Sequence, residues 1–226
     1  MASKGNTRHI RRLASTRYMK IGRKTSKYVS KPMAGRHGGD SSIALVTVLK
    51  EKIMKSTTRE IKYLLNKGAV EVNGKIVRIE RYPVGFGDLI HLKPSGETYK
   101  VTSGKNGTFA IEKEEKAGKQ LFRVIGKHTV RGGKVAVRIH DGRVFNYKDN
   151  KIKVNDSVML EKEGIGKIIA MEKGKQCYVM NGTHATEKGE IVEINKGTAL
   201  RDATVKIRGN SGEFETLLRN VMVVGE

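Results

Sequence analysis

The chain has 226 residues, 45 of them Lys or Arg and 23 Asp or Glu, for a net charge of +22. A hydrophobic share of 37%, an aromatic share of 5% and no Trp exclude one large core and suit several small ones. So strong a positive field selects polyanionic partners, nucleic acid or an anionic membrane surface, and a single cysteine, Cys177, excludes an internal disulfide and cysteine-rich zinc sites and suits a reducing interior.

The first forty residues carry eleven Lys/Arg against one acid, Asp40. Arg8, Arg11, Arg12, Arg17, Lys20, Arg23, Lys24, Lys27 and Arg36, with His37, make this segment a candidate polyanion-binding arm. It is too polar to fold alone and is expected to order only on RNA. Ile10, Leu13, Ala14, Tyr18 and Ile21 fall at helical spacing, so a mitochondrial transit peptide is the rival reading of the same composition. The longest apolar run, Ile43 to Leu49, is too short to span a bilayer.

Residues 43–54 are long enough for a helix, with Leu45, Leu49 and Ile53 spaced by four, although their β-branched content also permits a strand. A second helix follows. Thr57 and Glu60 form a possible capping box, Ile61, Leu64 and Leu65 share one face, and Gly68 is placed to stop the helix. Arg59, Lys62, Tyr63 and Asn66 fall on the opposite face, with Lys67 near its end. That face is either solvated or turned toward a polyanion. "AVEVNGKIVRI" then places Asn73-Gly74 between extended segments, a strong hairpin signal because a type I′ turn needs positive φ at both central positions. Val70, Val72, Val77 and Ile79 should share its buried face, and "GDLIHL" (Gly87 to Leu92) should close the unit as a strand.

This order of helix, "G-x-V-x-V-N-G" and "G-D-x-I" resembles the small RNA-binding domain named after small-subunit ribosomal protein four. The resemblance implies that Arg59, Lys62 and Lys67 face RNA, and Lys75 beside the turn is a further candidate for RNA binding. The opening "HIRRLA" (His9 to Ala14) and Pro32, Gly35 and His37 just before the domain are similar to the e-type ribosomal protein four family of archaea and eukaryotes. Two positions depart from it: Arg36 stands where that family has proline, and its tail tryptophan is absent.

Beyond Lys100, "SGKNGTFAIEKEEKAGKQ" reads as a flexible, charged connection. Extended runs follow in "LFRVIGKH", "KVAVRIHDGRVFNY" and "KIKVNDSVML", with turns at Gly132-Gly133 and Asp141-Gly142, and predict a small antiparallel β-unit. Arg131, Lys134, Arg138, Arg143 and Lys148 decorate it, as an RNA surface or as a plain exposed sheet face. Residues 174–226 balance seven basic against seven acidic residues. There, turn glycines Gly182 and Gly189 and the alternating "EIVEI" resemble a KOW motif in a small SH3-like barrel.

The predicted architecture is therefore α+β and multi-domain. A basic N-terminal extension (1–42) precedes an αα-β RNA-binding domain (43–105), a central β-rich domain (106–172) and a KOW SH3-like barrel (173–226).

No catalytic constellation emerges. The six histidines (His9, His37, His91, His128, His140, His184) fall at no metal-ligand spacing. "GRKTS" lacks the spacing of a phosphate loop, "GFGDLI" fails the dinucleotide fingerprint at Ile90, and no nucleophile elbow is present. Asp88 and Asp141 read as turn residues, and Asn106, Asn155 and Asn181 as chance glycosylation sequons. The 126 residues after Lys100 are too few and too fragmented for a pseudouridine synthase domain. The resemblance implies a non-enzymatic structural constituent of the small ribosomal subunit in the cytoplasm, without metal or cofactor. Its partners would be small-subunit rRNA and neighbouring ribosomal proteins, with no membrane and no homo-oligomer. An RNA-binding factor in ribosome assembly or elongation is the alternative.

Overall fold

The computed structural model describes residues 7–16, 18, 19, 21, 24, 26–104, 107–114, 120–147, 152–161, 164–198, 200–209 and 212–225. The chain divides into two compact units, residues 1–102 with 108–117, and residues 103–107 with 118–226.

In the first unit, β1 (His9–Arg11) pairs antiparallel with β2 (Tyr28–Ser30), and a 3-10 turn at Arg12–Ala14 follows β1. The helical spacing seen in the sequence is not used, and Leu13 is 98% exposed. Apolar residues of the described part of this segment contribute to the core of the unit. Met19 and Val29 are buried in the unit's core, and Ile10, Tyr18 and Ile21 pack against it. These few apolar side chains contribute burial that acts against the ordering cost of so polar a segment.

β3 (Ser42–Ala44) leads into α1 (Leu45–Val48), which widens into a turn over Leu49–Ile53 where the Met54 N–H reaches the Leu49 carbonyl at 2.8 Å. Leu45 and Leu49 are fully buried. α2 (Thr58–Asn66) starts at a complete capping box: Glu60 N–H donates to Thr57 Oγ1, and Thr57 N–H donates to Glu60 Oε2. Two otherwise orphaned helix-end donors are thereby satisfied. Ile61 and Leu65 are buried beneath it.

β4 (Val70–Val72) and β5 (Lys75–Ile76) form the expected hairpin, with φ of 50° at Asn73 and 75° at Gly74. Val70, Val72 and Val77 point inward, but Ile79 is 50% exposed. The pairing ends at Ile76, so the alternation that carried Val77 inward no longer governs Ile79. β6 (Pro83–Gly85) pairs with β3, and β7 (Leu89–Leu92) lies between β4 and β8 (Glu97–Ser103). The presumed connection also holds a strand, β9 (Phe109–Glu114), which completes a sheet of order β5-β4-β7-β8-β9. Phe109 is the reason: it is buried, with its ring 4.7 Å from that of Tyr18.

The second unit is all-β. β10 (Gln120–Thr129), β11 (Val135–Ile139), β12 (Val144–Tyr147), β13 (Ser157–Glu161) and β14 (Gly164–Ile169) form an antiparallel sheet of order β12-β11-β10-β13-β14. Phe122, Val124, Val137, Ile139, Ile152 and Val158 are its core. A second antiparallel sheet, order β18-β17-β16-β15-β19, comprises β15 (Gln176–Val179), β16 (Lys188–Asn195), β17 (Thr204–Gly209), β18 (Gly212–Leu217) and β19 (Val221–Val223). Gly182 lies in the β15–β16 loop with φ 103°. Gly189, expected in a turn, instead lies inside β16, opposite Cys177 on one side and Gly209 on the other. A Cβ there would sit 2.6 Å from the Arg208 carbonyl oxygen, so close backbone approach is what requires glycine. Among the described residues, no helix is long and apolar enough to cross a membrane.

Candidate nucleic-acid interface

The first group of cations belongs to the N-terminal segment. The Arg12 N–H donates to the Lys27 carbonyl at 3.0 Å, which draws the residues after β1 and those before β2 together. Arg11, Arg12, Leu13, Lys24, Ser26 and Lys27 line a common hollow there. Residues 1–39 contain no Asp or Glu, so these like charges face one another without an acid from their own segment. Such an arrangement is repulsive until an anion enters it. A neighbouring hollow gathers Arg8, His9, Tyr28, Lys50 and Lys62, together with Glu51 and Glu80. Lys50 was not singled out from the sequence, because only folding brings α1 and its continuation beside β1 and β2. Arg17, Lys20, Arg23 and Lys148 lie outside the described residues.

His37 does not join this surface. It is 5% exposed, with its ring hydrogen-bonded to Asp88. Arg36 beside it is half-buried. Asp88, read from the sequence as a turn residue, is 1% exposed and also accepts the Gly85 N–H and the Asn73 side-chain amide. The asparagine of "V-N-G" and the aspartate of "G-D-x-I" are thus two halves of one buried polar network, a link invisible at a separation of fifteen residues.

On α2 the expected face is exposed, but its members are not equivalent. Arg59 and Lys67 have no carboxylate partner among the described residues, whereas Lys62 is 3.0 Å from Glu80. Tyr63 is 60% exposed, and the Lys67 ammonium lies 4.4 Å from the centre of its ring. Lys75 is exposed next to the Asn73-Gly74 turn.

In the central sheet, Arg131 and Lys134 project from the tip of the β10–β11 hairpin, where Gly132 and Gly133 take φ of 87° and 71°. Arg138 is exposed on β11, opposite Gly126 and Val144. Arg143 turns inward: its Nε donates to the buried Asp141 and its guanidinium lies 4.9 Å from the centre of the Phe122 ring. That side chain braces the β11–β12 turn and leaves the candidate surface.

The C-terminal sheet differs in kind. Arg208 pairs with Glu213 at 2.7 Å, Lys206 with Glu193 at 3.8 Å and Arg219 with Asp202 at 3.7 Å. These three cations are answered by carboxylates, two of them across neighbouring strands, whereas the exposed Lys188, Lys196 and Arg201 have no such partner among the described residues. Among the described residues, no group of three His, Cys, Asp or Glu side chains could hold a metal ion.

Comparison with known proteins matches the same segments. The model of ribosomal family S4e covers residues 95–164, that of the S4 domain residues 45–90, and that of the KOW motif residues 173–208. The chain is 34% identical over 221 residues to small ribosomal subunit protein eS4 of Methanocella arvoryzae, covering 96% of this chain and 94% of that one. It is 32% identical over 231 residues to the eS4 protein of Methanosphaera stadtmanae, covering 100% and 95%. Among solved structures, the 30S ribosomal protein S4e of Thermoplasma acidophilum superimposes with a TM-score of 0.70 at 30% identity, over 83% of this chain and 96% of that one.

Proposed function

Because this chain belongs to the S4e family of small-subunit ribosomal proteins, we infer that it is a structural constituent of the small ribosomal subunit, binding and bracing rRNA in the cytoplasmic ribosome without catalysing a reaction. The observation that carries the mechanism is the set of exposed cations with no carboxylate partner among the described residues. They include Arg8, Arg11, Lys24 and Lys27 in the N-terminal segment, Lys50, Arg59, Lys67 and Lys75 in the S4 domain, and Arg131, Lys134 and Arg138 in the central sheet. Each can neutralise a phosphate, while each compact unit holds its own charges in place against folded RNA. Arg12 joins them at the edge of its hollow.

The C-terminal sheet is read as the KOW-bearing SH3-like barrel. Its balance of seven basic and seven acidic residues over 174–226 supports contacts that depend on shape and on neighbouring ribosomal proteins more than on phosphates. One copy per subunit, away from any membrane, is the working stoichiometry.

Sucrose-gradient fractionation of ribosomes in high salt tests the assignment. A structural constituent remains with the small subunit through the wash, whereas an assembly or elongation factor leaves it. For the isolated chain, engaging roughly 6–10 phosphates implies an affinity loss of about 10³–10⁵ between 50 and 200 mM salt. A nearly flat response would remove the phosphate mechanism.

A further inference from the structure

The seven Tyr and five Phe residues all lie among the described residues, and of them only Tyr28 and Tyr63 are exposed. The Tyr28 ring is met edge-on by His9, with centroids 4.9 Å apart. Tyr63, the more exposed at 60%, has Lys67 as its ring partner. Tyr63 also lines a hollow together with Met54, Ser56, Thr57, Arg59, Glu60 and Leu64. The Glu60 carboxylate is engaged by the Thr57 N–H in the helix cap, which ties down the one acid of that lining.

The arrangement is a flat aromatic plate between two cationic residues, each placed about one helical turn from it along the chain. Arg59 is four residues before Tyr63 and Lys67 four after, so their backbone positions span about 12 Å of helix axis, and the Lys67 ammonium reaches back over the ring. Phosphates alone would be served by the cations, and a solvated helix face has no use for an aromatic plate between them. An RNA duplex cannot use the plate, because its base faces are already stacked on each other. An unpaired nucleotide can, by laying its base on the ring while its flanking phosphates meet the cations. Met54 and Leu64 would line an apolar side of such a base.

We propose that Tyr63 is a base-stacking platform on α2, specific for an unpaired nucleotide of the bound RNA. This rests on the rRNA-binding reading and adds to it the state of the nucleotide that α2 selects.

The test uses the full chain with two RNAs of equal phosphate number, a single strand carrying 2-aminopurine and the same sequence fully paired. Wild type should prefer the single strand and change the 2-aminopurine fluorescence on binding. Tyr63→Leu should weaken single-strand binding by roughly 5- to 150-fold and abolish that change, with duplex affinity held within about twofold, while Tyr63→Phe behaves as wild type. An unchanged salt slope in Tyr63→Leu would show that the phosphate contacts persist. Equal losses on both RNAs, or none on either, would overturn the platform while leaving the rRNA reading intact. Unchanged RNA affinity with loss of the variant from salt-washed subunits would assign the ring to a protein neighbour, which also overturns it. Failure of the wild type to bind either RNA would remove the broader reading together with this one.

Discussion

The Nε2 of His37 lies 2.9 Å from Oδ2 of Asp88, 51 residues further along the chain, and both side chains are almost fully buried. The fit around them is tight. A Cβ on Gly85 would sit 2.4 Å from the His37 ring, and one on Gly35 would sit 2.7 Å from Pro83. Gly35 and His37 thus act as a buckle that holds the N-terminal segment against β6 and the turn before β7.

That buckle predicts an acid response. Burial alone would push the Asp88 carboxyl up, but the hydrogen bond and charge of His37, the Gly85 N–H and the Asn73 amide outweigh it and hold the group below the ordinary 3.8. With Asp88 ionised, His37 Nε2–H is the donor. A carboxyl depressed in the folded state stabilises above its unfolded pKa and loses that contribution as pH falls through the folded value. Amide exchange at Val84 and Ile90 should therefore accelerate as pH falls below about 4, after correction for intrinsic rates. Asp88→Asn should flatten that acid-dependent loss and lower stability at pH 7 by about 1.5–3 kcal/mol. A variant with the same acid profile as wild type would show that the buckle is not the titrating element.

Gly189 predicts a packing cost. Gly189→Ala should destabilise the second unit by about 1–3 kcal/mol, because backbone as well as side chain must shift to admit the methyl group. Gly39→Ala is the control: nothing lies within 4 Å of its Cβ position. Equal thermal midpoints for the two variants would contradict the close approach of β16 and β17.

Cys177 should be inert while the chain is folded. It is 1% exposed, and burial pushes its thiol up to about 11 against the pull of a Gly189 backbone hydrogen bond. At pH 8 its thiolate fraction is on the order of 10⁻³, against roughly 0.2 for a free thiol of pKa near 8.5. Iodoacetamide should label denatured chain rapidly and native chain slowly. Comparable labelling of both would place Cys177 at the surface.

The cations of the candidate interface should separate by their partners. Arg59→Ala and Lys67→Ala should each reduce the slope of log affinity for rRNA against log salt by about one. Lys62→Ala should change it less, because Glu80 already answers that charge. Arg143→Ala should leave the slope unchanged and cost about 1–3 kcal/mol of stability, since it strips a partner from the buried Asp141. Equal slopes for Arg59 and Lys62 variants would mean that Glu80 releases Lys62 on binding.

Several features are local, and the sequence alone determined them. The α2 capping box, the Asn73-Gly74 turn, the strands of the central sheet and the excess charge of the first three quarters each depend on residues within a few positions of one another. Backbone sterics and simple electrostatics suffice to read them. The partners of individual side chains were decided by tertiary structure. His37 and Arg143 carry the same types of charge or ring as residues on the surface, and only the distant Asp88 and the packing over Phe122 take them out of it. Gly189 looked like a turn because the approach of β17 is not written in its neighbours, and β9 looked like a linker because Phe109 finds Tyr18 only after folding. Spacing along the chain specifies the elements, whereas burial and pairing across the chain decide which charges remain free to meet RNA.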